Sequence, residues 1–306
     1  MNGLFVNQSK SKCSIYESGV MIYNALKDSF DIDYIEVSKD NMNSGIYFGY
    51  DYYIFNWHDN TLPIAKSTID KVKGLRIGIL LEVGSVEMRP YMREDLFDAY
   101  IVLDPTKVKD GKYYPFPRPL ESVDELLPLL SDEIPVFGTF GFFVPGKKFG
   151  EVLQVVNSLG KDCILRMNLT AGDFTGYSYS LPATIDYGKQ LYRFKNDNVD
   201  LRITHDYMSK TELIKWCSQN TLNIFPYYRD LPGLSAVTDQ AIVAGRGIAI
   251  TDCNTFRHMH KYISYFPKES YLELTESTLP GIKKMQEDWS NDKFVAAFNN
   301  LLSEMI

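Results

Sequence analysis

The sequence predicts an α/β fold: two doubly wound parallel-sheet domains in series, over 1–130 and 131–306. Three observations predict it. The chain has 306 residues, 45% apolar and 23% charged, enough for two cores of roughly 130–170 residues each. Its apolar runs are short, near-continuous and spaced by helical lengths, the pattern of strands covered on both faces. The alternation is interrupted by a proline-rich stretch between 104 and 132 and then starts again. Doubly wound units bind ligands beyond the carboxyl ends of their strands, so two of them facing each other would enclose a cleft.

In chain order, Leu4-Phe5-Val6 is the first strand, and it argues against a signal peptide because the apolar run is too short. A helix starting at 14–18 carries Val20, Ile22, Tyr23 and Leu26 on one face. Strands follow at 34–37 and 52–57, a helix over 62–72, and strands at 75–81 and 99–103. Pro115, Pro117 and Pro119 then block regular structure, which places the interdomain connection here. The second series runs strand 134–138, helix 148–159, strand 163–167, helix 182–195, strand 199–203 and helix 209–219. Ser209 and Glu212 open that last helix as a capping box. Strand 222–225, a helix ending near Gly245 and strand 247–251 complete a βαβ unit. Residues 282–306 read as two helices packing back on the N-terminal domain, with Trp289 and Phe294 on their apolar face.

The totals exclude several classes of function. A net charge of −7 with pI near 5.2 offers no basic stripe for a nucleic-acid backbone. Cys13, Cys163, Cys217 and Cys253 form no CxxC pair, which fits free thiols in a reducing, cytoplasmic compartment. No run of eighteen apolar residues exists, so no membrane span is expected. His258 and His260 near Cys253 supply too few ligands for zinc, and Asp31-x-Asp33 precedes a strand rather than ending one; no metal site is expected.

Two loops of the second domain carry the chemistry. Gly138 to Lys148 places glycines after a strand and lysines at the start of a helix. Phe225 to Ala241 passes from a strand through Arg229, Asp230, Pro232 and Gly233 into another helix, whose first free N–H groups would face an anion. An ammonium about 4 Å from a phosphate oxygen gains roughly 4 kcal/mol at an effective dielectric of about 20, against about 0.3–1 kcal/mol for a helix end. Lys147 or Lys148 would therefore dominate, with Arg229 as a second cation. The first loop, 7–19, lacks GxGxxG, which sets aside a nicotinamide or flavin enzyme. Asn56, His58 and Glu82 end strands of the first domain; His58 and Glu82 are the candidates for orienting or deprotonating an acceptor hydroxyl.

These residues resemble a known family. The runs 138–147, 206–216 and 220–257 look like the C-terminal half of family 4 glycosyltransferases of the GT-B fold, in which a "G…KG" loop and a "P…EG…EA…G.P" segment grip a nucleotide-sugar. Lys147 matches the lysine; Pro226, Gly233, Leu234, Ser235, Ala241, Gly245 and the strand 248–252 match the later segment. Asn7, the run 12–16 with Cys13 and Tyr16, Asn56-Trp57-His58 and Glu82 resemble N-terminal halves of bacterial and viral glycosyltransferase-like proteins.

The resemblance implies a GT-B-like architecture and sugar transfer from a nucleotide-diphosphate-sugar, a substrate rather than a cofactor, to a hydroxyl acceptor. It implies retention at the anomeric carbon without a metal. Gly141, Lys147, Arg229, Gly233, Leu234, Ser235 and Asp239 would hold the donor; Asn56, Cys13 and Tyr16 would line the acceptor side, beside His58 and Glu82. The acceptor is expected to be a glycan or small molecule, with a nucleic-acid acceptor disfavoured by the acidic balance. The family's two glutamates, eight positions apart, fall on Pro232 and Gln240, and Gly247 replaces a proline. Asp239, one position before Gln240, would take over a donor contact. The missing glutamates also leave a catalytically inactive nucleotide- or glycan-binding protein as the alternative.

Overall fold

The computed structural model describes residues 1–9, 12–38, 40–41, 49–58, 62, 64–81, 96–144, 146–172, 180–228, 233–265 and 270–306. It divides into two compact units. One comprises Met1–Leu120, Pro232–Leu234 and Asp288–Ile306; the other, Glu121–Leu231 and Ser235–Glu287.

The first unit is built on a six-stranded parallel sheet of β1 (Asn2–Gln8), β2 (Asp31–Val37), β3 (Tyr52–Phe55), β4 (Leu75–Leu80), β5 (Ala99–Val102) and β6 (Tyr113–Pro115), in the order β2-β1-β3-β4-β5-β6. Strand residues alternate between two cores. Leu4, Val6, Tyr53 and Phe55 join Trp57 and Phe97 on one face. Phe5, Tyr52, Ile54, Ile77 and Ile79 join Ile22 and Leu26 of α1 (Ser14–Leu26) on the other. Both faces are thus covered, which is why the strands read as continuous apolar runs. The second core also takes Phe294, Phe298, Leu301 and Leu302 from α9 (Asn291–Met305), so the chain's last helix completes the first unit.

Three sequence expectations are corrected here. The helix expected over 62–72 shrinks to α2 (Lys66–Ile69). Leu62 precedes a proline, which disfavours the helical region, and pairs instead with His58 in an isolated bridge. Prolines do not abolish structure after 113: β6 forms at the sheet edge and ends on Pro115, where a missing N–H costs no ladder bond. Val20 is half-exposed, and the buried face of α1 is Ser18, Gly19, Met21, Ile22, Ala25 and Leu26.

The second unit has a five-stranded parallel sheet of β7 (Val136–Phe142), β8 (Cys163–Thr170), β9 (Val199–Thr204), β10 (Leu222–Phe225) and β11 (Gly247–Ile250), ordered β11-β10-β7-β8-β9. Between its strands lie α3 (Phe149–Ser158), α4 (Leu181–Tyr192), α5 (Lys210–Ser218) and α6 (Val237–Ala244), followed by α7 (Tyr271–Ser277) and α8 (Leu279–Asp288). Phe137, Leu165, Met167 and Leu169 pack with Phe149, Val152 and Val156 of α3 in one core. The Ser209–Glu212 capping box forms as expected. Arg166 on β8 stacks 4.5 Å from the Trp216 ring and donates to the Trp216 carbonyl and Asn220 Oδ1, satisfying the carboxyl end of α5 from within the sheet.

Candidate functional site

In each sheet the strand order reverses direction once, and a doubly wound fold opens its binding crevice at that point. In the second unit the reversal falls between β7 and β10. The two loops singled out in the sequence leave these two strands, so topology makes them neighbours.

Gly141, near the end of β7, has φ 140°, a conformation open to glycine. A methyl group there would also run into the Lys147 ammonium. The Lys147 ammonium therefore lies directly against the buried backbone of Gly141; Lys147 is only 6% exposed, with Nζ 5.0 Å from the Tyr227 ring centroid. Tyr227, just beyond β10, is 1% exposed and donates to the Phe140 carbonyl at 3.3 Å. Tyr228 N–H donates to the Gly146 carbonyl at 2.8 Å, tying the loops backbone to backbone. Thr139, two residues before Gly141, is fully buried and its hydroxyl finds no partner among the described residues. Lys148 takes another part: it is left-handed (φ 54°, ψ 37°), precedes α3 and pairs with Glu151 at 3.2 Å. Between the two lysines that the sequence offers, Lys147 is the one held at the carboxyl edge.

The helix after Gly233 departs from expectation. It starts at Val237, and the Ser235 N–H, expected to face a ligand, donates to the Thr255 carbonyl at 3.1 Å. Thr238 draws the Ser235 carbonyl to its hydroxyl at 2.8 Å, holding the chain in a turn ahead of the helix. Asp239 sits in the first turn of α6, 2% exposed. Gly233 and Leu234 are half-buried and group with the first unit. Arg229 and Glu82 lie outside the described residues.

In the first unit the reversal falls between β1 and β3. Asn7 and Asn56 occupy it, both fully buried. Asn56 Nδ2 donates to Asn7 Oδ1 and to the Ile15 carbonyl, each at 2.8 Å, and Asn7 Nδ2 donates to the Tyr16 carbonyl and Tyr34 hydroxyl at 3.0 Å. This network fastens the start of α1 to the strand ends. Gly19 lets the helix come that close, since a Cβ there would strike both asparagine side chains. Cys13 is 9% exposed and stands at the N-cap of α1. The Tyr16 hydroxyl donates to Glu36 Oε1 at 2.9 Å; burial first, then that bond, pushes its pKa up to about 12. His58 is half-exposed, its carbonyl accepting from Leu62 N–H at 2.8 Å.

Residue types alone do not give the places that Tyr227, Thr139, Asn7 and His258 take in this packing. A usable signal existed for two of them: Asn7 and Tyr227 sit at the ends of strands flanking the reversals. Asp31 and Asp33 pair with Asn2 and Leu4 in the amino-terminal half of β2, away from the carboxyl edge of the sheet. His258 contacts Thr238 and His260 faces Asp252, and among the described residues no cluster of three or more His, Cys, Asp or Glu could hold a metal. Nor is any described helix long and apolar enough to cross a membrane.

No protein-family model and no curated protein sequence matches the chain. Solved structures do, over nearly its whole length. HepE of Anabaena in complex with UDP-glucose aligns with TM-score 0.66 at 10% identity, covering 99% of this chain and 100% of the other. An alpha-glucosyltransferase in complex with UDP aligns at 0.64 and 10%, covering 98% and 99%. An α,α-trehalose-phosphate synthase from Burkholderia xenovorans in complex with glucose-6-phosphate aligns at 0.63 and 9%, covering 99% of each. At such identities the likeness is one of fold, and the two Rossmann-like parallel-sheet units of this chain have the GT-B fold of glycosyltransferases.

Proposed function

We propose that the protein transfers a hexosyl group from a nucleotide-diphosphate-sugar to a hydroxyl acceptor, with retention and without a metal. The observation that carries this reading is the buried Lys147 ammonium against the side-chain-free backbone of Gly141 at the switch point of the second sheet. A buried ammonium at the carboxyl edge of the sheet suits a diphosphate, which is both the handle of the donor and the leaving group. UDP is the first nucleotide to try, because fold neighbours were solved with UDP or UDP-glucose.

In the reaction the bond between the anomeric carbon and the phosphate oxygen breaks, and its electron pair leaves with the nucleoside diphosphate. The acceptor oxygen bonds to the anomeric carbon on the same face and passes its proton to the departing phosphate. Lys147 offsets the charge that grows there. The first unit supplies the acceptor side, with His58 beside a small sugar or glycan hydroxyl; Glu82, Arg229, Gly233, Leu234 and Asp239 are further contributors in this reading. Four free, buried cysteines suit a cytoplasmic location.

A donor panel tests the proposal. UDP, GDP, ADP and CMP with their sugars are screened by thermal shift, where a ligand at 100 times its dissociation constant stabilises by about 2.7 kcal/mol. Acceptor-dependent release of nucleoside diphosphate from the donor that binds is the expected result. Pro232 and Gln240 at the family's glutamate positions favour a second reading, a binding protein without turnover. Binding with no release of nucleotide over a broad acceptor panel would select it.

A further inference from the structure

Behind the segment 235–239 stands a buried histidine that the proposed chemistry does not use. His258 is fully buried, as is Thr238, and His258 Nε2 lies 3.2 Å from Thr238 Oγ1. Thr238 Oγ1 also lies 2.8 Å from the Ser235 carbonyl oxygen. A carbonyl can only accept, so the single proton of the Thr238 hydroxyl goes to Ser235. Toward His258 the hydroxyl is left with lone pairs, and the imidazole must therefore carry its proton on Nε2. The polarity of the chain is fixed throughout: His258 donates to Thr238, and Thr238 donates to Ser235. A third bond, from Ser235 N–H to the Thr255 carbonyl at 3.1 Å, holds the same residue from its other side.

This relay stands where a helix cap would otherwise act. The residue before α6 is Ala236, in the right-handed helical region with no side chain to cap the first turn. The turn is instead set from outside the helix, by a side chain twenty positions further on in the sequence. Asp239 follows in the same helical turn, so whatever orients Ser235 and Thr238 orients Asp239 with them.

We propose that His258, fixed as the Nε2–H tautomer, is a positioning residue that holds the Ser235–Asp239 turn in the form that grips the donor. This rests on the nucleotide-sugar reading for its consequence, while the relay itself stands on the geometry alone. The two amide isosteres of histidine separate a positional role from a merely space-filling one. Glutamine presents its N–H₂ near the Nε2 position and can still donate to Thr238. Asparagine presents its N–H₂ near the Nδ1 position and cannot.

The test compares wild type, His258→Gln, His258→Asn and Thr238→Val by UDP calorimetry, thermal melting and amide hydrogen exchange over residues 233–241. His258→Gln is expected to bind UDP within about threefold of wild type. His258→Asn and Thr238→Val should each weaken it about tenfold, the worth of one buried hydrogen bond, with faster exchange confined to that segment. Equal affinity and equal exchange in the glutamine and asparagine variants would overturn the proposal, whatever their melting temperatures. If wild type binds no nucleotide, the donor reading fails, and exchange decides the relay by itself: protection at 235–239 kept by glutamine and lost with asparagine supports it, and no difference overturns it.

Discussion

The two reversal points of this molecule share a topology and differ in chemistry. In the first unit, the strand ends at Asn7 and Asn56 are closed by their own amides. Three of the side-chain bonds there join backbone carbonyls or the other asparagine, and Gly19 brings α1 down onto them. In the second unit, the strand ends at Gly141 and Tyr227 carry a buried cation against glycine backbone and an aromatic ring. In one crevice the amide N–H groups of Asn7 and Asn56 hold a helix, while in the other a buried ammonium sits at the edge. A glycine makes each arrangement possible, at Gly19 for a helix and at Gly141 for an ammonium. Identical folding rules therefore yield one edge stiffened by amides and one edge that holds a buried cation.

The sharpest way to break that contrast is Gly141→Ala. It strains a φ of 140° and drives a methyl group against Lys147. We expect a stability loss of about 1–3 kcal/mol by denaturant unfolding, together with UDP affinity reduced about tenfold or more by calorimetry. Gly19→Ala should separate the two effects. The methyl group displaces Asn7 and Asn56 and costs about 1–3 kcal/mol of stability, yet UDP affinity should stay within about twofold. An affinity loss matching that of Gly141→Ala would erase the distinction between the edges.

A smaller effect is expected from acid. In the first unit, Arg76 donates from Nε and Nη2 to Asp98 at 2.9 and 2.5 Å. Burial raises the Asp98 pKa, but the Arg76 bonds outweigh it and the net value lies below the ordinary carboxylate range. A depressed carboxylate stabilises the fold fully above its unfolded pKa and loses that contribution as pH falls through the folded one. Unfolding of wild type measured from pH 6 to pH 3 should lose about 1 kcal/mol more than Asp98→Asn over the same range. Parallel curves would show that this pair contributes nothing to acid sensitivity.

Much of this was legible in the sequence because the strands are buried on both faces and the helices lie between them. Lys147 and Gly141 were legible for the same reason: a strand, a glycine and a lysine before a helix are all local. Residues brought together across the fold were not. Asn7 and Asn56 meet only because β1 and β3 are neighbours, 49 positions apart in the chain. Tyr227 is one of 21 tyrosines, and nothing local marks it as the floor under Lys147. The partner of the Ser235 amide was out of local reach too, because the Thr255 carbonyl comes from beyond β11. Residue type also misled at Pro115, where edge position overrides the usual exclusion of proline from strands.

The central claim is that Lys147 grips the diphosphate, and a comparison of UDP with UMP tests it most directly. Calorimetric dissociation constants for both are measured on wild type and on Lys147→Met, which keeps the packing on Tyr227 and removes the charge. The account predicts that wild type prefers UDP over UMP by at least about tenfold and that the preference collapses in Lys147→Met, a loss of about 2–4 kcal/mol in UDP binding. UDP and UMP binding equally to wild type, or a preference unchanged by Lys147→Met, would contradict it.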